Sequence, residues 1–182
     1  MSSNDKPQSS SLSKKDIVGK GGPIAGSATS AIGALLVLIG FVLPWASCGN
    51  YRLSGLDIVT QSTSGNLGES NGTLLCLVPF FAIGMLGIAI AVVPATLWKK
   101  IPAAFKVIGM ALVSLLTLLA CCPSCLFFTN LQSARNDPNS MGMGGFVQVE
   151  YGFWVSMFGL FVSFLGGLLG IGTSVAEKTI KD

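Results

Sequence analysis

YGFWVSMFGLFVSFLGGLLGIG, running from Tyr151 to Gly172, is the stretch that decides the fold. Its small residues fall at Gly152, Ser156, Gly159, Ser163, Gly166 and Gly170, a spacing of four, three, four, three and four that draws one seam down a helix. Phe153, Trp154, Val155, Phe158, Leu160, Phe161 and Leu165 lie between them, so the helix is apolar all round, as a membrane span must be. In lipid, apolar side chains gain nothing by leaving the tails for one another, and helices associate where small residues let backbones approach. The six seam residues are therefore the expected helix-packing face. Their expected partner is the first span, which has small residues at Gly26, Ser30, Gly33 or Ala34, and Gly40.

The rest of the chain supports the same reading. Hydrophobic residues make up 51% of it, charged residues only 10%, and 23 of 182 residues are Gly, a balance foreign to a soluble domain. Four apolar stretches, at about 24–46, 74–97, 103–128 and 151–172, are long enough to cross roughly 30 Å of hydrocarbon. The sequence thus predicts an all-α membrane protein: a four-transmembrane-helix antiparallel bundle over 24–172. Residues 1–23 read as a disordered cytoplasmic tail rich in Ser and charge, and 173–182 as a second cytoplasmic tail.

Charge placement gives the orientation. Lys6, Lys14, Lys15, Lys20, Lys99, Lys100, Lys106, Lys178 and Lys181 all fall on one side of such a bundle, and only Arg52 and Arg135 on the other. By the positive-inside rule both termini are cytoplasmic and the loops 47–73 and 129–150 are outside, in a multi-pass protein of the plasma (inner) membrane. Trp45, Tyr151 and Trp154 near the outer span ends, and Trp98 at the inner one, fit the headgroup region. The formal charge of +3 is a topology signal, and no basic patch with interleaved aromatics points to nucleic acid.

Each outer loop carries strand chemistry. Tyr51, Leu53, Leu56, Ile58 and Val59 flank Ser54-Gly55 in the first; Val147, Val149 and Tyr151 alternate with Gln148 and Glu150 in the second. The expectation is a small extracytoplasmic β-strand pair, with the edge of Tyr51 to Val59 receiving the strand that runs into span four. The second half of the first loop, from Gln61 to Thr73, reads as loose, and the second loop as turn-rich around Asp137-Pro138 and Gly142, Gly144 and Gly145.

Phe41-Val42-Leu43-Pro44-Trp45, then Cys48, then Leu53-Ser54-Gly55-Leu56-Asp57, together with Tyr151-Gly152-Phe153-Trp154, resemble a group of uncharacterised prokaryotic four-span membrane proteins. That resemblance implies the four-span fold and brings no activity with it. In layout alone the chain is also similar to the claudin-like tetraspan architecture.

Chemistry-bearing residues are few. Cys48, Cys76, Cys121, Cys122 and Cys125 all map to the outer end, consistent with an oxidising exterior and with a structural disulfide. The expected bond joins Cys48 to one of Cys121, Cys122 or Cys125, with Cys76 the rival partner. Cys122-Pro123-Ser124-Cys125 also reads as a redox pair, in partial resemblance to the disulfide-generating four-helix membrane oxidoreductases. Its setting is poor: a reactive thiolate wants a helix N-terminus or a nearby cation, and these cysteines close a helix with no His in the chain. The thiols lack the paired spacing of structural zinc, so no metal site is expected, and no cofactor. No ionisable residue lies mid-span, which disfavours ion-coupled transport. The reading that remains is a structural or interaction protein, an accessory or scaffold subunit, whose partners are the bilayer and either another membrane protein or a second copy of itself. The alternative is a membrane thiol–disulfide oxidoreductase using Cys122 and Cys125.

Overall fold

The computed structural model describes residues 21–63, 73–97, 102–136 and 147–181. Residues 1–20, 64–72, 98–101, 137–146 and 182 lie outside the described residues, and with them the expected N-terminal tail, Trp98, Lys99 and Lys100, and the expected turns around Asp137-Pro138; of the segment Gln61 to Thr73, expected to be loose, the described ends are helical. The elements run α1 (Gly22–Val42), β1 (Pro44–Cys48), β2 (Tyr51–Ser54), α2 (Gly55–Thr63), a 3-10 turn (Thr73–Cys76), α3 (Leu77–Leu97), α4 (Ala103–Asn136), β3 (Val147–Val149) and α5 (Tyr151–Lys181).

Among the described residues four helices, α1, α3, α4 and α5, are long and apolar enough to cross a membrane. Pro23 opens α1, where its missing N–H costs nothing. Pro44 ends it, because the residue before a proline is pushed out of helical geometry, and Leu43 is extended at φ −75°, ψ 160°. The spans close an antiparallel ring in the order α1, α5, α4, α3, and α1 packs most extensively against α5. Trp45, Leu75, Met85, Val37, Val78 and Val113 are fully buried between them.

The α1–α5 contact is backbone against backbone. A Cβ on Gly26 would lie 2.7 Å from the Gly170 Cα, one on Gly159 2.7 Å from the Gly33 carbonyl, and one on Gly166 2.5 Å from the Ser30 nitrogen. Gly152 meets the Leu43 and Pro44 backbone in the same way. Gly170 also faces Met110 and Gly167 faces Ser114, so α5 turns a second small-residue face toward α4.

Four boundaries differ from the sequence reading. Span one stops at Val42, and residues 44–46, expected in the helix, begin a strand. Leu56 to Val59 are helical: Ser54 caps α2, its hydroxyl accepting from the Asp57 N–H at 3.1 Å while Asp57 Oδ2 accepts from the Ser54 N–H at 3.0 Å and hydroxyl at 2.7 Å. Span three runs on through Pro123 and Thr129 to Asn136, with no further Pro or Gly to stop it before Asp137-Pro138. Span four likewise continues to Lys181, past residue 173 where a tail was expected.

The sheet has three strands in the order β2-β1-β3, both pairings antiparallel. β3 therefore pairs with β1 (Ala46 opposite Val149, Ser47 opposite Gln148), not with the Tyr51 strand. Once Pro44 has broken α1, its last residues supply the central strand that the loop edges needed.

Candidate functional site

Chemistry-bearing side chains gather at the end of the bundle that carries the sheet. The organising residue there is Trp45. Pro44 opposes Ser54 and Ala46 opposes Leu53, so Trp45 is the extra residue of a β-bulge, a device that re-aims a side chain. Its ring turns inward and is 0% exposed, in place of the headgroup position the sequence suggested. The indole Nε1 donates to the Gly40 carbonyl at 2.9 Å, which satisfies the one polar group such a burial would orphan. Phe41 and Phe153 stand edge-on to it at 5.4 Å, and Phe127 lies tilted at 5.7 Å. Phe153 in turn stacks on Phe128 at 5.6 Å.

Gly55, the first residue of α2, comes so close to Phe41 that a Cβ would lie 2.8 Å from its ring. The three separated motif blocks, 41–45, 53–57 and 151–154, thus meet in one knot: Phe41 and Trp45 from the first, Gly55 from the second, Gly152 and Phe153 from the third. The knot explains why those residue types stand where they do.

Above the knot the sheet has two faces. Leu53 and Val149 pack on the core on either side of the buried Ala46, which pairs with both. Arg52, Ser47 and Gln148 form the next row, and with Gly49 and Glu150 they line an open polar groove of about 260 Å³. Gly49, at φ 60°, makes the two-residue turn between β1 and β2 that sets this row in register. Asp57 lies nearby on α2. The hydrogen bonds from the Ser54 hydroxyl and N–H hold its carboxyl below the usual carboxylate range.

All five cysteines, Cys48, Cys76, Cys121, Cys122 and Cys125, are free thiols, so the expected disulfide is not formed. Cys48 ends β1 and is exposed. Cys76 closes the 3-10 turn, half-buried.

The remaining three thiols lie on α4, and the contact is between Cys121 and Cys125, with sulfurs 3.6 Å apart, not between Cys122 and Cys125. Because Pro123 does not break the helix, residues four apart are neighbours. Cys122 and Cys125 are exposed, and Cys121 is half-buried. Among the described residues no group of three or more His, Cys, Asp or Glu gathers to hold a metal ion.

The expected packing residues Gly152, Ser156, Gly159, Ser163 and Gly166 lie against α1, and Gly170 lies between Gly26 and Met110. Lys106, expected in the turn between spans two and three, is buried in the first turn of α4. These features define a four-span membrane protein with a folded polar cap at one end. The chain matches no protein-family model and no curated protein with which it was compared.

Proposed function

We propose that the chain is a structural or interaction protein of a membrane assembly, an accessory or scaffold subunit embedded in the plasma (inner) membrane with both termini cytoplasmic. The observation that carries this reading is the contrast between the two parts of the molecule. Between α1 and α5 the membrane interior is closed by backbone contact, and a path for a solute needs room that such a seam excludes. The sheet, by contrast, presents Arg52, Ser47, Gln148 and Glu150 in an open polar groove. A rigid stem bearing a shaped polar cap suits recognition better than turnover. The knot of residues 41–45, 53–57 and 151–154 supports the kinship proposed with four-span proteins that share those blocks, since each block needs the other two.

A photoreactive residue in place of Gln148, on the cap, tests the reading against one in place of Ile90, which is exposed on the membrane face of α3. Cross-linking in native membranes should give one discrete higher-mass product from position 148 and none from 90. An equal smear from both positions, or no product from 148, overturns the scaffold role.

The oxidoreductase reading, on Cys122 and Cys125, keeps as its support the cluster of free thiols on α4. It requires the two cysteines to cycle, and mass-tag trapping in which neither changes redox state with an added quinone removes it.

A further inference from the structure

The thiol contact on α4 has a geometry that the redox reading does not use. Cys121 and Cys125 are one helical turn apart with sulfurs at 3.6 Å, one thiol half-buried and the other exposed. No third His, Cys, Asp or Glu among the described residues joins them. A site with two sulfurs and nothing else cannot complete the four-coordinate tetrahedron of structural zinc. It suits a soft ion that two thiolates satisfy, and among biologically available metals thiolate softness selects Cu(I).

We propose that Cys121 and Cys125 form a two-coordinate site for Cu(I) at the sheet end of the bundle. Binding replaces two S–H bonds by two Cu–S bonds and releases two protons, and no electron changes hands because the copper enters as Cu(I). With the Zn–S length of about 2.3 Å as an upper bound, two sulfurs on one ion stand at most about 4.6 Å apart. That is roughly an ångström more than their present contact, which rotation about the two χ1 bonds supplies. Both thiols belong to one helix, where Pro123 between them lacks a backbone N–H and the Ser124 hydroxyl donates to the Ala120 carbonyl at 3.1 Å. Cys122 lies on the same helical turn, outside the 3.6 Å contact, and serves as the comparison.

The test is anaerobic titration of the reduced full chain in detergent with Cu(I) against a chromogenic Cu(I) chelator. One equivalent should bind to the wild type and to C122S, and none to C121S or C125S. Unchanged binding in the C121S/C125S double variant, or equal loss in C122S, overturns the site. Should a variant fail to fold, alkylation of the wild type decides it: Cu(I) should protect Cys121 and Cys125, but not Cys122, from iodoacetamide as mapped by peptide mass. Absence of that protection also overturns the proposal.

Discussion

Ser30 and Ser163 each donate a hydrogen bond to the other's backbone carbonyl across the α1–α5 seam, at 3.2 Å from Ser30 and 3.1 Å from Ser163. Both are fully buried. Interhelical hydrogen bonds in membranes average about 0.6 kcal/mol, because the separated helices also find partners for such groups. Ser30→Ala and Ser163→Ala should therefore each lower stability by about that amount, and the double variant by roughly twice as much. Reversible unfolding in mixed detergent measures it. A loss several times larger in either single variant would show that the hydroxyls do more than bridge the two helices.

The glycines of the same seam carry a steeper penalty. At Gly159 and Gly166 even a methyl group would overlap backbone atoms of α1, which cannot swing aside as a side chain tip can. Gly159→Ala and Gly166→Ala should each cost about 1 to 3 kcal/mol or more, the range for overpacking a close contact. Gly87, on α3, has nothing within 4 Å of a Cβ, so Gly87→Ala should be neutral or stabilising by up to about 1 kcal/mol through helix propensity. Equal melting temperatures for Gly159→Ala and Gly87→Ala would contradict the packing of α1 on α5.

Trp45→Ala removes the centre of the aromatic knot and should cost about 3 to 5 kcal/mol. Trp45→Phe keeps the ring contacts and loses the bond to Gly40, so its cost should fall near 1 kcal/mol, the ordinary net value of a hydrogen bond. Limited proteolysis within the first loop reads the result directly, because α2 leans on Phe41 through Gly55 and loosens when the knot does.

How far this architecture was legible follows from particular residues. The four spans and the small-residue spacing on α5 are periodic signals many residues long, and composition in lipid leaves them little choice. Pro44 to Cys48 and Leu56 to Val59 are short apolar runs, for which periodicity cannot tell strand from helix. Residues 44–46, expected at the end of span one, begin a strand, and Leu56 to Val59, expected as strand, are helical. One signal for the second was present, since Ser54 three residues before Asp57 is a capping pair. Nothing local marks Trp45 as inward-facing: the bulge that turns it arises from pairing with Ser54 and Leu53 further along the chain. The cysteines were legible as a cluster but not as a pairing. The Cys-Pro-Ser-Cys motif points to Cys122 and Cys125, whereas the helix, continuing through Pro123, brings Cys121 to Cys125.

Acid should loosen α2 before the bundle. The Asp57 carboxyl is held below its ordinary value of 3.8 by the Ser54 hydroxyl and N–H. A depressed folded-state value means that the unfolded chain takes up the proton first, so the stabilisation is fully present above the unfolded value and disappears as pH falls through the folded one. Once the pH dependence of intrinsic exchange is divided out, amide exchange in residues 54–63 should therefore accelerate relative to the bundle helices below about pH 4 in the wild type. In Asp57→Asn the acceleration should be absent, exchange being already faster at neutral pH; Ser54→Ala should weaken the cap by about 1 kcal/mol. Wild-type exchange in α2 that shows no acid step beyond that of the bundle helices would remove the capping pair from the account.

Cys48 offers the most direct check on both the cap and the orientation. It is a free, exposed thiol at the end of β1, three residues before Tyr51, itself 80% exposed on the edge strand. A membrane-impermeant maleimide added to intact cells should modify it without prior reduction, while the half-buried Cys76 should react more slowly. The two ways of failing are separable. Modification only after the membrane is permeabilised would place the sheet in the cytoplasm and reverse the Lys/Arg argument, since the split between the chain's two sides is the whole basis of that orientation. Modification only after reductant would mean that β1 bends far enough to bring Cys48 to another thiol. In that case the three-strand register, with Cys48 opposite Tyr51 and Val147, could not stand as described.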